Sequence, residues 1–370
     1  MCRLGSNWTI QGYTILNVSQ EETEYMCMWL LASWYHLNHL GRFLHRCKVY
    51  NYSTSQDTVK YLLISTADIT STGNITTLLY DDTLSAESET NERRPQTSRD
   101  LTVVTAYWDL GSFKKGEKQT FTKSTYLSWA STFQYLINPI VVYTDSTEFR
   151  DLMFSLRAKG NLTNQTKIFL VSKRKFWPFR ILNQIQSVYR QPGYPAHHPN
   201  TVNAEYSAAQ HSKYVAVADS AQRNIFNTSF FAWLDVGYFR DIVGTRKNFK
   251  LELPPNFNPN SVAFNRVFNS SMTMDPYRIF RQNVVWVGGG LFICSGKVGI
   301  EFEKLYQRAV LYFLRQNLMN TDQQVLYAMY SDEGQKVIRP NIGLQIYIPK
   351  VNYGNQWFYL GYLCLIKVTE

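Results

Sequence analysis

The 370-residue chain has little that would assign it to a metal-binding, membrane-spanning or nucleic-acid-binding class. Its five cysteines, Cys2, Cys27, Cys47, Cys294 and Cys364, contain no C-x-x-C pair and no histidine at zinc spacing, which argues against a structural zinc site. The apolar run from Met26 to Tyr35 is far shorter than the ~20 residues that span a bilayer. It also begins late and lacks a basic flank followed by a cleavage site, so neither a transmembrane helix nor a signal peptide is expected from it. The net charge of +10 and pI of 9.2 come without any long Lys/Arg block. Scattered charge of this kind suits a small polyanion such as a nucleotide diphosphate better than nucleic acid or a membrane surface. Lys173-Arg174-Lys175 is the densest cluster and reads equally as a solvated loop or a phosphate clamp. No G-x-G-x-x-G and no Walker loop occurs, which disfavours a nicotinamide or P-loop protein.

What is present is core material: 45% hydrophobic and 15% aromatic residues, in a chain long enough for one large domain with an appendage. Residues 1 to 98 show weak periodicity and end in a polar stretch, Asp81 to Asp100, so they are expected to form a poorly structured extension and linker. Residues 99 to 370 are the globular domain. The acceptor pattern N-x-S/T recurs at Asn7, Asn17, Asn51, Asn74, Asn161, Asn164, Asn227 and Asn269, which points to the secretory pathway, in the ER or Golgi lumen, or to secretion. In that setting Cys27 and Cys47 could pair, and the odd count leaves at least one thiol free.

Within the domain, Leu101 to Tyr107 is a β-branched strand followed by the turn Trp108-Asp109-Leu110-Gly111. Thr125 to Ile137 has helical spacing and stops at Asn138-Pro139; Ile140 to Asp145 is a buried strand; Ser146 caps a helix to about Ala158; Lys167 to Val171 is a third strand. Phe179 to Tyr189 and Ala204 to Ala221 read as helices. Between them lies a Pro-rich loop in which His197 and His198 are expected to be surface residues rather than metal ligands. The alternation predicts an α/β fold with a mostly parallel sheet flanked by helices. Residues 241 to 281 are expected to be irregular. Gly288-Gly289-Gly290 would follow a strand beginning at Val284 and permit close approach of a ligand, or else form a tight turn. A helix over Gly299 to Gln316 and another capped by Thr321 complete the pattern.

The central stretch is Phe230 to Arg240: an apolar strand, Phe230 to Leu234, ending in Asp235. An acid at the carboxyl end of a parallel strand lies where such sheets bind ligands. Equally, Asp235 would cap the following turn while Gly237 supplies a positive φ.

Six segments carry a resemblance: Val104 to Gly111, Tyr126 to Trp129, Asn138 to Thr144, Phe231 to Tyr238, Gly288 to Phe292, and Thr321 to Gln324. Together, in collinear order over about residues 101 to 340, they resemble the HtrL/YibB-like family, named from bacterial proteins associated with lipopolysaccharide biosynthesis and also present in animals. The resemblance implies a GT-A-like glycosyltransferase fold, Rossmann-related, that uses a nucleotide-sugar donor to modify a glycan or glycoconjugate. It maps the nucleotide onto Thr105, Ala106, Tyr107 and Asp109, and a Mn or Mg ion onto Asp235. The donor sugar and acceptor pocket fall to Gly289, Gly290 and Asp322, with Asp322 as catalytic base. Lys213 or Arg240 would supply positive charge at the diphosphate. Where Asp-x-Asp would place its second acid stands Gly237, which weakens any metal site. That departure favours the alternative, a catalytically inactive carbohydrate- or nucleotide-binding protein of the same fold. Neither nucleic acid nor a membrane is an expected partner.

Overall fold

The computed structural model describes strand backbone at residues 8–10, 13–17, 46–53 and 58–65, and describes residues 98–116, 119–350 and 354–368. The chain forms two compact units, Met1–Asn91 and Glu92–Glu370. In the first, β1 (Trp8–Ile10), β2 (Tyr13–Asn17), β3 (Arg46–Ser53) and β4 (Thr58–Ser65) form an antiparallel sheet in the order β1-β2-β4-β3. The apolar run Met26–Tyr35, the pairing of Cys27 with Cys47, and all but the last three residues of the stretch expected as a linker lie outside the described residues.

The second unit begins with β5 (Ser98–Tyr107), whose Val103 and Val104 are fully buried. A hairpin of β6 (Phe113–Lys115) and β7 (Gln119–Phe121) leads into α1 (Lys123–Trp129). The helix expected to reach Ile137 gives way at Trp129 to a 3-10 turn, Ala130–Gln134. Next come β8 (Ile140–Thr144), buried at every residue, α2 (Thr147–Lys159) and β9 (Thr166–Leu170). Ser146 caps α2 as its sequence predicts, accepting a hydrogen bond from the Phe149 amide at 3.2 Å, with Glu148 in the first turn and Arg157 and Lys159 in the last. Two short helices, α3 (Trp177–Arg180) and α4 (Leu182–Tyr189), replace the one expected from Phe179. The long α5 (Ala204–Arg223) then feeds β10 (Thr228–Leu234).

Residues 241 to 281 are more regular than their Pro/Asn content implies. They hold β11 (Phe249–Leu251), β12 (Ser261–Asn265) and α6 (Pro276–Arg281). β12 is an interior strand of the main sheet and all five of its residues are buried. After it come β13 (Leu291–Ser295), α7 (Gly296–Arg315), α8 (Asp322–Tyr330), α9 (Asp332–Ile338), β14 (Gly343–Tyr347), α10 (Tyr359–Cys364) and β15 (Leu365–Lys367). The three glycines therefore precede their strand rather than follow one, and of Val284–Val287 only Val287 makes a bridge, to Arg266.

The seven main strands run β14-β12-β13-β10-β5-β8-β9, and all neighbours are parallel except that β13 opposes both β10 and β12. This is the α/β, mostly parallel sheet that the sequence predicts. One face is covered by α5 and α7, through Tyr214, Val217, Phe302, Tyr306 and Val310. Opposite it, Phe133, Phe149, Met153 and Leu360 close the second layer. In that layer Arg157 is fully buried, with no carboxylate paired to it among the described residues. Its guanidinium donates to the carbonyls of Phe133 (3.1 Å), Leu136 and Asn138 (2.9 Å) and to the Thr166 hydroxyl (2.8 Å).

Candidate functional site

From β5 the chain moves outward through β8 and β9, then returns to place β10 on the other side of β5. Such a reversal opens a crevice beyond the carboxyl ends of the two strands. Asp235 stands there, at the end of β10. Because β13 runs the opposite way, its amino end reaches the same edge, and the Asp235 amide donates to the Gly290 carbonyl at 2.9 Å.

The Asp235 side chain keeps 40% of its surface exposed. Its Oδ1 accepts from the Trp233 indole at 2.7 Å and lies 3.3 Å from the Lys213 ammonium. Lys213 reaches up from α5 and is only 3% exposed. It donates to the Gly289 carbonyl at 2.9 Å and pairs with Asp322 Oδ2 at 3.3 Å. Burial works against its charge, but Asp235 and Asp322 outweigh burial and hold its pKa above that of an ordinary lysine. Asp322, in the first turn of α8, is fully enclosed, and burial pushes its pKa up to about 6 despite the attraction of Lys213, with Asp235 adding to the rise. Gly289 is needed here because a Cβ would collide with Asp322 Oδ2. Asp235, Lys213, Gly289, Gly290 and Asp322 thus meet as one cluster.

The simpler account of Asp235 and Gly237 does not hold. The turn after Asp235 is closed by its backbone carbonyl, which accepts from the Tyr238 amide at 2.9 Å, while its carboxylate faces Lys213 and Trp233. Gly237 is not among the positive-φ glycines, Gly111, Gly116 and Gly193. A Cβ on it would run into the Trp129 ring. Trp129 therefore occupies the space in which a second acid of an Asp-x-Asp would stand.

Other expected residues sit apart from the cluster. Thr105 is buried, with its hydroxyl donated to the Leu234 carbonyl at 2.6 Å, so its side chain ties β5 to β10. Ala106 is half-buried against the α5 face, and Tyr107 is stacked on Phe149 at 4.5 Å in the opposite layer. Asp109 belongs to a neighbouring polar corner, where its amide donates to Asp145 Oδ1 at 2.9 Å and Lys123 lies 3.6 Å away. Lys173 is held there too, by Glu205 at 3.4 Å and Asp145 at 3.8 Å, which leaves it a structural tether. His197 shares a hydrogen bond with the Arg281 carbonyl at 2.8 Å.

Three residues join the site from outside the expected set. Trp233 has been described; the others are Trp129 and Lys115. Arg240, exposed, places its guanidinium 5.3 Å from the Trp129 ring centre and 4.7 Å from that of Phe358, and donates to the Gly237 carbonyl at 3.0 Å. Lys115, on the β6–β7 hairpin, sits 5.1 Å over the Phe121 ring, and Phe121 meets Trp129 edge to face at 5.2 Å. The signal for Lys115 in the sequence is faint: two phenylalanines, Phe113 and Phe121, that pair across the hairpin and anchor it.

The donor set fits a divalent cation poorly. The one exposed carboxylate has an ammonium 3.3 Å from Oδ1, the second is buried against that same ammonium, and the described residues contain no group of three or more His, Cys, Asp or Glu that could hold a metal ion.

Fold and site together define an α/β protein with a mostly parallel sheet, whose charged groups converge in the crevice at the carboxyl edge of its central strands. Residues 99–339 match the family model described as a bacterial protein of unknown function (HtrL_YibB), and the chain belongs to that family. No curated protein matches the chain.

Proposed function

We propose that the domain is a glycosyltransferase that takes a sugar from a nucleotide-sugar donor and passes it to a hydroxyl of a glycan or glycoconjugate. The observation that carries this reading is the cluster of Asp235, Lys213 and Asp322 at the β5/β10 crevice, bordered by backbone that lacks side chains at Gly289 and Gly290. In the transfer, the bond from the anomeric carbon to the diphosphate oxygen breaks and its electron pair leaves with the diphosphate. A new bond forms to the acceptor oxygen, whose proton must be taken up. In an inverting displacement a carboxylate takes it. Asp322 is 2% exposed and engaged by Lys213, so it suits the positioning of Lys213, while Asp235 Oδ2, which has no hydrogen-bond partner among the described residues, is open to an acceptor.

The alternative is a non-catalytic binding protein of the same fold. It is favoured by the same ammonium, which is paired with both carboxylates. The secretory-pathway location belongs to this proposal too: the acceptor asparagines Asn161, Asn164, Asn227 and Asn269 are all exposed, and no helix among the described residues is long and apolar enough to cross a membrane.

A thermal-shift screen of UDP-, GDP-, CMP- and ADP-sugars with and without Mn, on the full chain and on Asp235→Asn, tests binding, and release of nucleotide in the presence of glycan acceptors tests transfer. Stabilisation by one donor class, with turnover lost in Asp235→Asn, is the expected result. Stabilisation without turnover for any acceptor supports a nucleotide-binding protein, and no stabilisation by any nucleotide sugar rejects the transferase and leaves a carbohydrate-binding protein.

A further inference from the structure

Lys115 and Arg240 are two cations at the mouth of the crevice that are held by aromatic rings instead of carboxylates. Arg240 lies between Trp129 and Phe358, and Lys115 rests on Phe121. The edge-to-face contact of Phe121 with Trp129 joins the two seats into one aromatic wall. Tyr126 buttresses this wall, 5.3 Å from Trp129 and 6.1 Å from Phe121. The hairpin that carries Lys115 is fixed as well, by the Gly116 amide on the His198 carbonyl at 2.9 Å and by Phe113 against Tyr206 at 5.2 Å. Among the described residues neither cation forms an ion pair with a carboxylate, although Lys115 lies within electrostatic reach of both Asp235 and Arg240. Lys213, by contrast, has its charge consumed by two acids and a carbonyl.

Like charges brought to one edge repel, and the arrangement is relieved when an anion enters between them. Aromatic seating leaves the Lys115 ammonium, and the Arg240 N–H groups other than the one donated to the Gly237 carbonyl, available for oxygen acceptors, because the ring attracts the cation without accepting its directional bonds. The opposite arrangement, a divalent cation on Asp235, meets the Lys213 ammonium and finds Trp129 where a second acid would have to stand.

We infer that Lys115 and Arg240 form the diphosphate subsite of this domain, and that they supply without a metal ion the positive charge the departing nucleoside diphosphate requires. This inference rests on the glycosyltransferase reading for its ligand and on the geometry of the two cations for its location.

The test is calorimetric titration of the full chain with inorganic pyrophosphate and with UDP, in EDTA and again with Mn. Binding in EDTA is expected, weakened about tenfold or more by Lys115→Gln and by Arg240→Gln, as befits the loss of a charged hydrogen bond. Arg240→Lys should recover part of the affinity, and Asp235→Asn should leave it unchanged or tighter, since it removes a negative charge beside the anion. Circular dichroism of each variant separates lost binding from lost fold. Binding that appears only with Mn and disappears in Asp235→Asn would overturn the inference while leaving a metal-dependent transferase intact. Pyrophosphate binding through the two cations in EDTA, with no nucleotide sugar bound or turned over, would retain the subsite and reject the transferase.

Discussion

Replacing Asp322 by asparagine should change how stability depends on pH, in a direction opposite to that of most salt-bridged acids. The carboxyl is enclosed, and burial moves its pKa from 3.8 to about 6 even with Lys213 at 3.3 Å. Between those values the folded chain holds a proton that the unfolded chain has released, so the contribution of this residue falls as pH rises through the interval and is level above it. At about 1.4 kcal/mol for each pKa step, the full change is about 3 kcal/mol. Asparagine keeps the shape and does not titrate. Relative to wild type, Asp322→Asn should therefore gain most of this, about 2.4 kcal/mol, on going from about pH 4 to about pH 7.5, with Lys213 still paired to Asp235 at 3.3 Å. Urea denaturation of both proteins across that range, with the difference in unfolding free energy plotted against pH, measures it. A difference that is flat would show that desolvation and the Lys213 attraction cancel. A variant that instead loses ground as pH rises would show that the ion pair outweighs burial, and the electrostatic account of the cluster would be wrong.

Two further outcomes follow from the described surfaces and core. Arg157→Met should destabilise the domain by about 3 kcal/mol, because it strands the carbonyls of Phe133, Leu136 and Asn138 in a buried layer. Lysine should not rescue it in denaturant titrations, since one ammonium cannot reproduce the planar fork. If the chain enters the secretory pathway, its product from eukaryotic cells should lose mass on enzymatic removal of N-glycans. Changing Asn161, Asn164, Asn227 and Asn269 in turn to glutamine should remove single steps of that shift. A secreted product whose mass is unaffected by the enzyme would count against that location.

Local pattern revealed the fold where each element carries its own signal. The β-branched run at Val103 and Val104, the cap at Ser146 and the apolar run ending in Asp235 all lie in the sequence as contiguous features. β12 escaped because its five residues are short, flanked by Asn and Pro, and acquire their identity only by pairing with β13 and β14. In the sequence the glycine run reads as following a strand, since Val284–Val287 is as apolar as Leu291–Ser295 and only the reversal of β13 tells them apart. Within the site, acids and glycines were legible as unusual residues beside apolar runs. Lys115 was not, because its significance depends on a hairpin folding over a distant strand end, and Trp129 looked like one more core residue of an amphipathic helix.

The contact between Gly237 and Trp129 bears on what this chain can become. An acid introduced at position 237 has no room until the indole leaves, and the indole is also the seat of Arg240 and the neighbour of Phe121. Gaining the second carboxylate would therefore dismantle the aromatic wall, and with it the support for the positive charge at the crevice. The two ways of handling an anion at this edge exclude one another on this backbone.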